Sequence, residues 1–249
     1  MRAHVQSGHG RSEGMVLSAE SLAEFAGLLA DRSRASMCLA LLDGRAWTAG
    51  ELASHAGVGR STASEHLTIL VGAGLLAEQR QGRHRYVRLA GPQVAQLIED
   101  LATAVGEPDR PTSLRTVRAA RHLAAGRTCY DHLAGHLGVV LFDGLVDGAL
   151  IAVHDGLVLT PAGRVWFTEV VGDPALHPGG SRPLLRTCLD WTERRNHLGG
   201  ALGAALCHEF TERAWITRTP AHRAVTLTPA GTQALADLLQ VNISAGATD

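Results

Sequence analysis

The chain has 249 residues and a mass of 26.3 kDa, which is long for one small module and short for three full domains. Its 45 % apolar content excludes a disordered chain, and no run approaches the ~18 consecutive apolar residues that a membrane helix needs. A net charge of −1 excludes a uniformly basic protein, although all 23 basic residues are arginines and they are unevenly spread. Residues 1–14 lack an apolar stretch and the four cysteines lie in apolar contexts, so we expect a disordered leader and a cytoplasmic, reducing location.

Helical patterns dominate the first part of the chain. Five segments are predicted to be helical: 18–30, 32–42, 48–57, 60–71 and 92–105. Thr48 and Glu51 form a capping box at the start of the third segment. The segments 74–80 and 84–89 alternate like two strands of a hairpin. Two helices joined by a tight glycine turn and followed by a basic hairpin predict a winged helix-turn-helix domain over 15–106.

Basic residues concentrate on the turn, the following helix and the hairpin. Between Gly59 and Arg88, five arginines stand against two glutamates, and this local charge of +3 favours contact with phosphate. Short hydroxyl side chains near a helix N-terminus let the backbone approach phosphates, while Arg and His reach base edges in the major groove. The residues predicted to bind double-stranded DNA are Arg60, Ser61, Thr62, Ser64, Glu65 and His66 on the helix and Arg80, Arg83, His84 and Arg85 on the hairpin.

The same residues carry a family resemblance that covers about 18–106. The runs Ala56-Gly-Val-Gly-Arg-Ser-Thr-Ala-Ser-Glu-His-Leu67, Ala73-Gly-Leu-Leu and Arg80-Gln-Gly-Arg-His-Arg-Tyr86 resemble the ArsR family of bacterial winged-helix transcriptional regulators. The resemblance implies a dimeric repressor that releases DNA when it senses a metal ion, an oxidant or a small molecule. The resemblance implies that metal-sensing members which bind through a cysteine pair, as in arsenic-type sensing, carry the pair early in the helix before the turn. Here that stretch reads Glu51-Leu-Ala-Ser-His55, which argues against such a site.

The second half of the chain matches itself. After a linker at 107–113, Arg127-Thr-Cys129-Tyr-Asp131 recurs as Arg186-Thr-Cys188-Leu-Asp190, and Leu-Thr-Pro-Ala-Gly occurs at both 159–163 and 227–231. In that pentapeptide a strand ends at Leu, Thr caps a new helix, and Pro takes its first position. We predict that 114–249 is an effector or assembly domain built from a tandem repeat. The two repeats, at about 127–170 and 186–240, are predicted to be helix–hairpin–helix units that resemble degenerate winged helices. The domain resembles the C-terminal extension of a subset of ArsR-type regulators.

A metal ion is one candidate effector for this domain. Cys129, His132 and His136 are spaced i, i+3 and i+7, so on a helix they share one face and suit zinc or a related borderline metal. The same face is apolar, and the alternative is that all three belong to the core. Cys188 and His197 recur in the second repeat, whereas His136 is matched by Ala201. A bound metal therefore needs ligands shared between repeats or between subunits.

Two further effectors remain open. Cys129 and Cys188 occupy equivalent places, so pseudo-symmetric packing brings them together either as a thiol switch or as small buried hydrophobes. A small organic effector in a pocket between the repeats is the other candidate. The insertion that distinguishes the second copy supplies Trp191, Arg194 and Arg195, which suit an anion or aromatic pocket or else form a solvated loop held by one Trp.

These patterns lead to one interpretation and one alternative. We expect a mainly α protein with small β-hairpin wings that binds DNA as a homodimer. The helices at 18–30 and 92–105 are expected to form the dimer interface. DNA binding itself requires no cofactor. The alternative is a DNA-binding protein whose second half is a protein-interaction or dimerisation module without a small effector. Catalysis is not expected, because the Cys-His pair at 129 and 132 lacks an orienting third group and the glycine turn at 57–61 lacks the lysine of a P-loop.

Overall fold

A computed structural model describes residues 18–82, 84–105, 114–179, 182–219, 223–241 and 243. The predicted leader at 1–14 and linker at 107–113 lie outside the described residues. Within them, no helix is long and apolar enough to cross a membrane. The N-terminal elements are α1 (Ala19–Leu29), α2 (Arg32–Ala40), β1 (Trp47–Thr48), α3 (Ala49–Ala56), α4 (Arg60–Gly72), β2 (Leu76–Gln81), β3 (His84–Leu89) and α5 (Pro92–Val105).

These elements confirm the winged helix-turn-helix. The Thr48 side chain accepts a hydrogen bond from the Glu51 N–H while the Glu51 carboxylate accepts one from the Thr48 N–H, so the predicted capping box is present. Gly57 ends α3 in the left-handed conformation with φ of 67°, which turns the chain into α4. β1, β3 and β2 form one antiparallel sheet in that order, with the wing at the β2–β3 turn. Leu52, Leu67 and other buried side chains of α2–α5 and the sheet form one core.

The C-terminal half shows the same order of elements twice. After α6 (Leu114–Ala125), the first run comprises β4 (Arg127–Cys129), β5 (His132–Ala134), α7 (Gly135–Asp147), β6 (Ile151–His154), β7 (Gly156–Leu159) and α8 (Pro161–Val171). The second comprises β8 (Arg186–Leu189), β9 (Asn196–Gly199), α9 (Gly200–Glu212), β10 (Ile216–Arg218), β11 (Val225–Leu227) and α10 (Pro229–Leu239). Each run is hairpin–helix–hairpin–helix. The predicted helix–hairpin–helix unit therefore omitted the hairpin with which each run begins. The predicted caps Thr160 and Thr228, each followed by Pro, are confirmed at α8 and α10.

The prediction that Cys129, His132 and His136 share a helical face is wrong. Cys129 ends β4 and His132 begins β5, with Tyr130 at a φ of 58° in the turn between the strands. Gly135 then starts α7 at a φ of 73°, and a Cβ there would lie 2.7 Å from the carbonyl oxygen of Ala124. These two left-handed positions break the helical path between residues 129 and 136.

The two C-terminal runs pack against each other reciprocally. α7 of the first run contacts β9 of the second, and α9 of the second contacts β5 of the first. A Cβ at Gly138 of α7 would lie 2.4 Å from the Leu133 carbonyl oxygen, and a Cβ at Gly203 of α9 would lie 2.4 Å from that of Leu198. Glycine at these positions therefore allows α7 to approach β5 closely and α9 to approach β9 closely.

A buried ion pair joins the runs. The Arg127 guanidinium donates to the Asp190 carboxylate at 2.8 Å, and the two side chains are 1 % and 0 % exposed. The same carboxylate accepts from the Gly135 N–H at 2.6 Å and from the Thr192 hydroxyl at 2.6 Å. Burial raises the pKa of Asp190, but Arg127 and these hydrogen bonds outweigh it and hold the pKa at about 2.

We predict that Asp190→Asn lowers the free energy of unfolding by about 3–5 kcal/mol, because it leaves a buried guanidinium without its counter-charge. Urea unfolding followed by circular dichroism measures the change. Asp143→Asn is the matched control. It breaks the more exposed pair between Asp143 and Arg195, where the side chains are 35 % and 58 % exposed, so a change within about 1 kcal/mol is expected.

The same carboxylate predicts an acid-sensitive component of stability. Because the folded pKa of Asp190 lies below its ordinary value of 3.8, its contribution is complete above pH 3.8 and is lost as the pH falls through about 2. Unfolding measured between pH 5 and pH 2 should show that Asp190→Asn loses less stability than the wild type over this interval. Parallel losses in the two proteins would contradict the assignment.

Candidate functional site

The first candidate site is the exposed face at the start of α4. Arg60, Ser61, Thr62, Ser64 and Glu65 are all exposed there, as a DNA-reading helix requires. The N-cap is Gly59, which has no side chain to accept the first-turn N–H groups. A helix N-terminus without a side-chain cap can donate such N–H groups to an anion such as a phosphate.

His66 is placed differently from the other predicted helix residues. Its side chain is only 16 % exposed, and Nε2 lies 3.6 Å from the Asp31 carboxylate at the N-cap of α2. This position turns the imidazole toward α2 and away from the exposed face of α4. His66 therefore lies apart from the other helix residues predicted to contact DNA.

Two basic side chains of the wing form ion pairs with the same carboxylate, that of Glu78. Glu78 on β2 pairs with Arg80 at 3.1 Å and with Arg85 at 2.7 Å. Hydrogen bonds from Arg80 and the charge of both arginines lower the pKa of Glu78 although desolvation opposes them. His84 is exposed near the tip, and Arg83 lies outside the described residues.

The second candidate site is a buried cluster of two cysteines and two histidines between the C-terminal hairpins. Cys129 lies opposite His132 across β4 and β5, and Cys188 lies opposite His197 across β8 and β9. The two sulfur atoms are 3.7 Å apart, and the imidazole rings stack with centroids 5.1 Å apart. One ligand atom from each residue lies within 4.8 Å of all the others, and all four residues are buried.

The histidines have ring nitrogens without partners. Among the described residues, His132 Nε2 and both ring nitrogens of His197 are buried and make no hydrogen bond. His132 Nδ1 lies 3.3 Å from Asp131, and His197 Nδ1 lies 3.6 Å from Asp190. Each imidazole thus has a carboxylate on its Nδ1 side and an Nε2 without a partner. Buried polar atoms normally have a partner, so this arrangement needs an explanation.

The cysteines and histidines of the cluster shift one another's pKa values. The hydrogen bond between the two sulfurs and the proximity of the two histidines lower the pKa of Cys188, against the effect of burial. The same sulfur–sulfur hydrogen bond and burial raise the pKa of Cys129. Burial lowers the pKa of His132, but Asp131 and Cys188 raise it more, to about 9. By contrast, burial in α9 raises the pKa of Cys207 to about 11.

The other residues predicted to form an effector site do not join this cluster. His136 is 55 % exposed and lies 3.5 Å from Glu193. The Trp191 ring lies under the Arg127 guanidinium at 4.6 Å, and Arg195 pairs with Asp143 at 2.8 Å. Arg194 lies between Trp191 and Arg195 in the β8–β9 turn, with a φ of 53°.

Sequence reasoning missed the convergence of His132 with His197. In the first hairpin two residues separate Cys and His, whereas eight separate them in the second. The recurrence of both residue types was visible in the sequence, but the shared cross-strand register was not.

The cluster lies against α5 of the N-terminal domain. The Gln96 amide donates to the Cys188 sulfur at 3.5 Å, Arg186 lies 3.6 Å from Asp100, and Arg223 forms an ion pair with the buried Glu99. A cleft lined by Gln93, Gln96, Asp131 and Arg182 reaches Cys129 and His132. α5 therefore contacts both the core of the winged helix and the cluster.

Comparisons with known proteins agree with this architecture. Residues 29–79 match a family profile described as a helix-turn-helix domain. The "Uncharacterized HTH-type transcriptional regulator YdfF" of Bacillus subtilis is 39 % identical over 224 residues, which cover 90 % of this chain and 99 % of that protein. The HTH-type transcriptional regulator CmtR of Mycobacterium tuberculosis is 36 % identical over 100 residues, which cover 40 % of this chain and 84 % of CmtR.

Two solved structures are similar over the N-terminal part. The cadmium metal-sensor CMTR of Mycobacterium tuberculosis is 35 % identical, covers 36 % of this chain and 96 % of its own, and has a TM-score of 0.30. The DNA-binding domain of Mb0332 from Mycobacterium bovis, a possible ArsR-family regulator, is 28 % identical, covers 34 % and 79 %, and has a TM-score of 0.33. The relationship to the Bacillus protein extends through both halves of the chain. With its winged helix-turn-helix and this nearly full-length relative, the chain belongs to the DNA-binding HTH-type transcriptional regulators, among which its sequence resembles the ArsR family.

Proposed function

We propose that this regulator is a dimeric repressor whose C-terminal half controls DNA affinity in response to an effector. α4 and the wing bind double-stranded DNA, and the Cys/His cluster is the effector site. Regulation acts through binding, without catalysis. The observation that carries the proposal is that one helix, α5, contributes to the DNA-binding core, to the cluster and to an open apolar surface.

The three faces of α5 are distinct. Ala95 and Ile98 are buried in the core of the DNA-binding domain. On another face, Gln96, Glu99 and Asp100 contact the C-terminal half through Cys188, Arg223 and Arg186. A movement of the C-terminal hairpins relative to α5 therefore reaches the core that holds α4 in place.

The third face supports dimerisation. Leu97, Leu101 and Val105 follow one another at a spacing of four residues and are 38 %, 42 % and 87 % exposed. On α1, Leu22 is 71 % exposed, and that helix has no buried residue. Exposed apolar side chains arranged along helices are typical of a protein–protein interface. A dimer places two copies of α4 against two half-sites, which single-helix readers need for useful affinity.

We also propose that the two C-terminal runs are copies of one unit, at about 127–170 and 186–240. Their matching order of elements and their equivalent glycines, Gly138 and Gly203, support this interpretation. Duplication explains why a Cys-His pair faces its own counterpart across the contact between the runs.

We predict that Arg60→Ala weakens DNA binding by about 1–3 kcal/mol if the side chain contacts a base, or lowers the salt dependence by about one counterion if it contacts a phosphate. Fluorescence anisotropy on DNA from upstream of the gene, or on a site selected from random sequences, measures both quantities. Arg164→Ala, which removes an exposed arginine of α8, is the matched control and should bind like the wild type. Equal affinity and salt dependence in Arg60→Ala and the control would argue against α4 as the reading helix.

We predict that replacing Leu97 and Leu101 together by Glu converts the dimer into a monomer, because charges cannot be buried unpaired in an apolar interface. Light scattering on the purified protein gives the mass. Val165→Glu on α8, where the wild-type side chain is 60 % exposed, is the control and should leave the mass unchanged. A double variant that keeps the wild-type mass would place the dimer interface elsewhere.

A further inference from the structure

We propose that Cys129, His132, Cys188 and His197 form a four-ligand site for a zinc-class divalent ion. The site takes one cysteine and one histidine from each C-terminal hairpin. It differs from the helix before the turn, where the sequence carries no cysteine pair. Metal occupancy stands on the cluster alone, whereas its effect on DNA rests on the proposed function.

The donor set matches a tetrahedral zinc site. In a tetrahedron with Zn–S bonds of about 2.3 Å, the two sulfurs lie roughly 3.8 Å apart. The Cys129 and Cys188 sulfurs are 3.7 Å apart, so this edge of the tetrahedron is already formed. The nitrogen atoms lie within 4.8 Å of the other donors and need to move inward modestly on binding. Nitrogen and sulfur donors favour borderline ions such as Zn²⁺ and disfavour Mg²⁺ and Ca²⁺.

The carboxylates beside the histidines support the same assignment. A metal-bound imidazole typically donates its other N–H to a carboxylate, which fixes the tautomer and the ring orientation. Asp131 stands 3.3 Å from His132 Nδ1 and Asp190 stands 3.6 Å from His197 Nδ1. Asp131 is itself held by two hydrogen bonds from Arg182, at 2.7 and 2.9 Å. Both Nε2 atoms are buried and have no other partner among the described residues.

Charge and burial favour a metal over a disulfide as the partner of this cluster. Two thiolates, two neutral imidazoles and a divalent ion sum to zero, which suits four residues that are each at most 4 % exposed. A disulfide between Cys129 and Cys188 uses only the sulfurs and leaves both buried Nε2 atoms without a partner. The cleft beside α5, which reaches Cys129 and His132, provides a route for the ion.

The test begins with Co²⁺ as a spectroscopic substitute for Zn²⁺ on the reduced, chelator-treated full-length protein. We expect one Co²⁺ per chain, with the intense visible bands of a tetrahedral site and thiolate-to-metal charge transfer, all displaced by Zn²⁺. Cys188→Ser and His197→Gln should lose this spectrum. Asp131→Asn should keep it and lower the affinity about 10- to 100-fold.

Two matched controls separate the site from general effects of substitution. Cys207→Ser removes a buried cysteine of α9 outside the cluster, and His136→Gln removes an exposed histidine of α7. Both should bind Co²⁺ like the wild type. Circular dichroism without metal checks that each variant folds. If Cys188→Ser does not fold, His132→Gln and His197→Gln, which keep both thiols, decide the question.

Three results would overturn the metal site. They are no uptake of Co²⁺ or Zn²⁺ by the reduced protein, uptake that survives in the folded histidine variants, and a spectrum without thiolate charge transfer. A reversible Cys129–Cys188 disulfide in a protein that takes up no metal would assign the cluster to redox chemistry instead.

A second measurement separates the site from the proposed function. DNA affinity is measured by anisotropy with and without one equivalent of Zn²⁺, in the wild type and in His197→Gln. A metal-dependent loss of about 5- to 150-fold in the wild type alone supports regulation through α5. Unchanged DNA affinity in a protein that binds metal leaves the site standing and refutes the effector role. Absence of DNA binding in both states refutes the proposed function without affecting the metal result.

Discussion

The buried ion pair between Arg127 and Asp190 joins the two runs of the C-terminal half. Asp190 lies directly after β8, the first strand of the second hairpin. Its carboxylate accepts hydrogen bonds from Arg127 at the start of the first hairpin and from the Gly135 N–H at the start of α7. An aspartate buried at 0 % exposure is stable only with such partners. Because the same carboxylate lies beside His197, the interaction that joins the two runs also orients one side of the cluster.

The C-terminal half also contacts the DNA-binding domain through α5. A helix that belongs to one core and donates side chains to another behaves as a rigid connection, since its backbone hydrogen bonds resist local distortion. Glu99 illustrates this role. It is 4 % exposed and pairs with Arg223, which lies far along the chain in the turn before β11. The contact links the last hairpin directly to a helix that packs in the DNA-binding core.

Much of the fold is predictable from local patterns. The capping box at Thr48, the glycine turn before α4 and the Thr-Pro starts of α8 and α10 depend on interactions within a few residues, and the sequence displays them directly. The first C-terminal hairpin is different. Its strands are three residues each, and Cys129, His132 and His136 also fit helical spacing. Whether this segment forms a hairpin or a helix depends on the left-handed backbone at Tyr130, a non-glycine residue with no obvious turn preference.

The candidate sites divide in the same way. The exposed residues of α4 follow from the position of the turn, whereas the burial of His66 against Asp31 depends on how α2 packs on α4. The four-residue cluster was not predictable as a set, because it requires the register of two hairpins with turns of different length and the packing of one run against the other. The equivalent places of Cys129 and Cys188 in the two runs predicted that these sulfurs meet, as they do at 3.7 Å, but not that both histidines join them.

The division of the cluster between two hairpins has a consequence for biosynthesis. The cysteines are 59 positions apart, so the first hairpin leaves the ribosome with only half of the donors. That half presents one thiol and one imidazole, and it stays incomplete until the second hairpin has been made and has docked. Closure of the cluster therefore reports that the second hairpin has been synthesised and has docked against the first. A protein truncated between the two runs keeps its DNA-binding helix but lacks the element that completes the cluster.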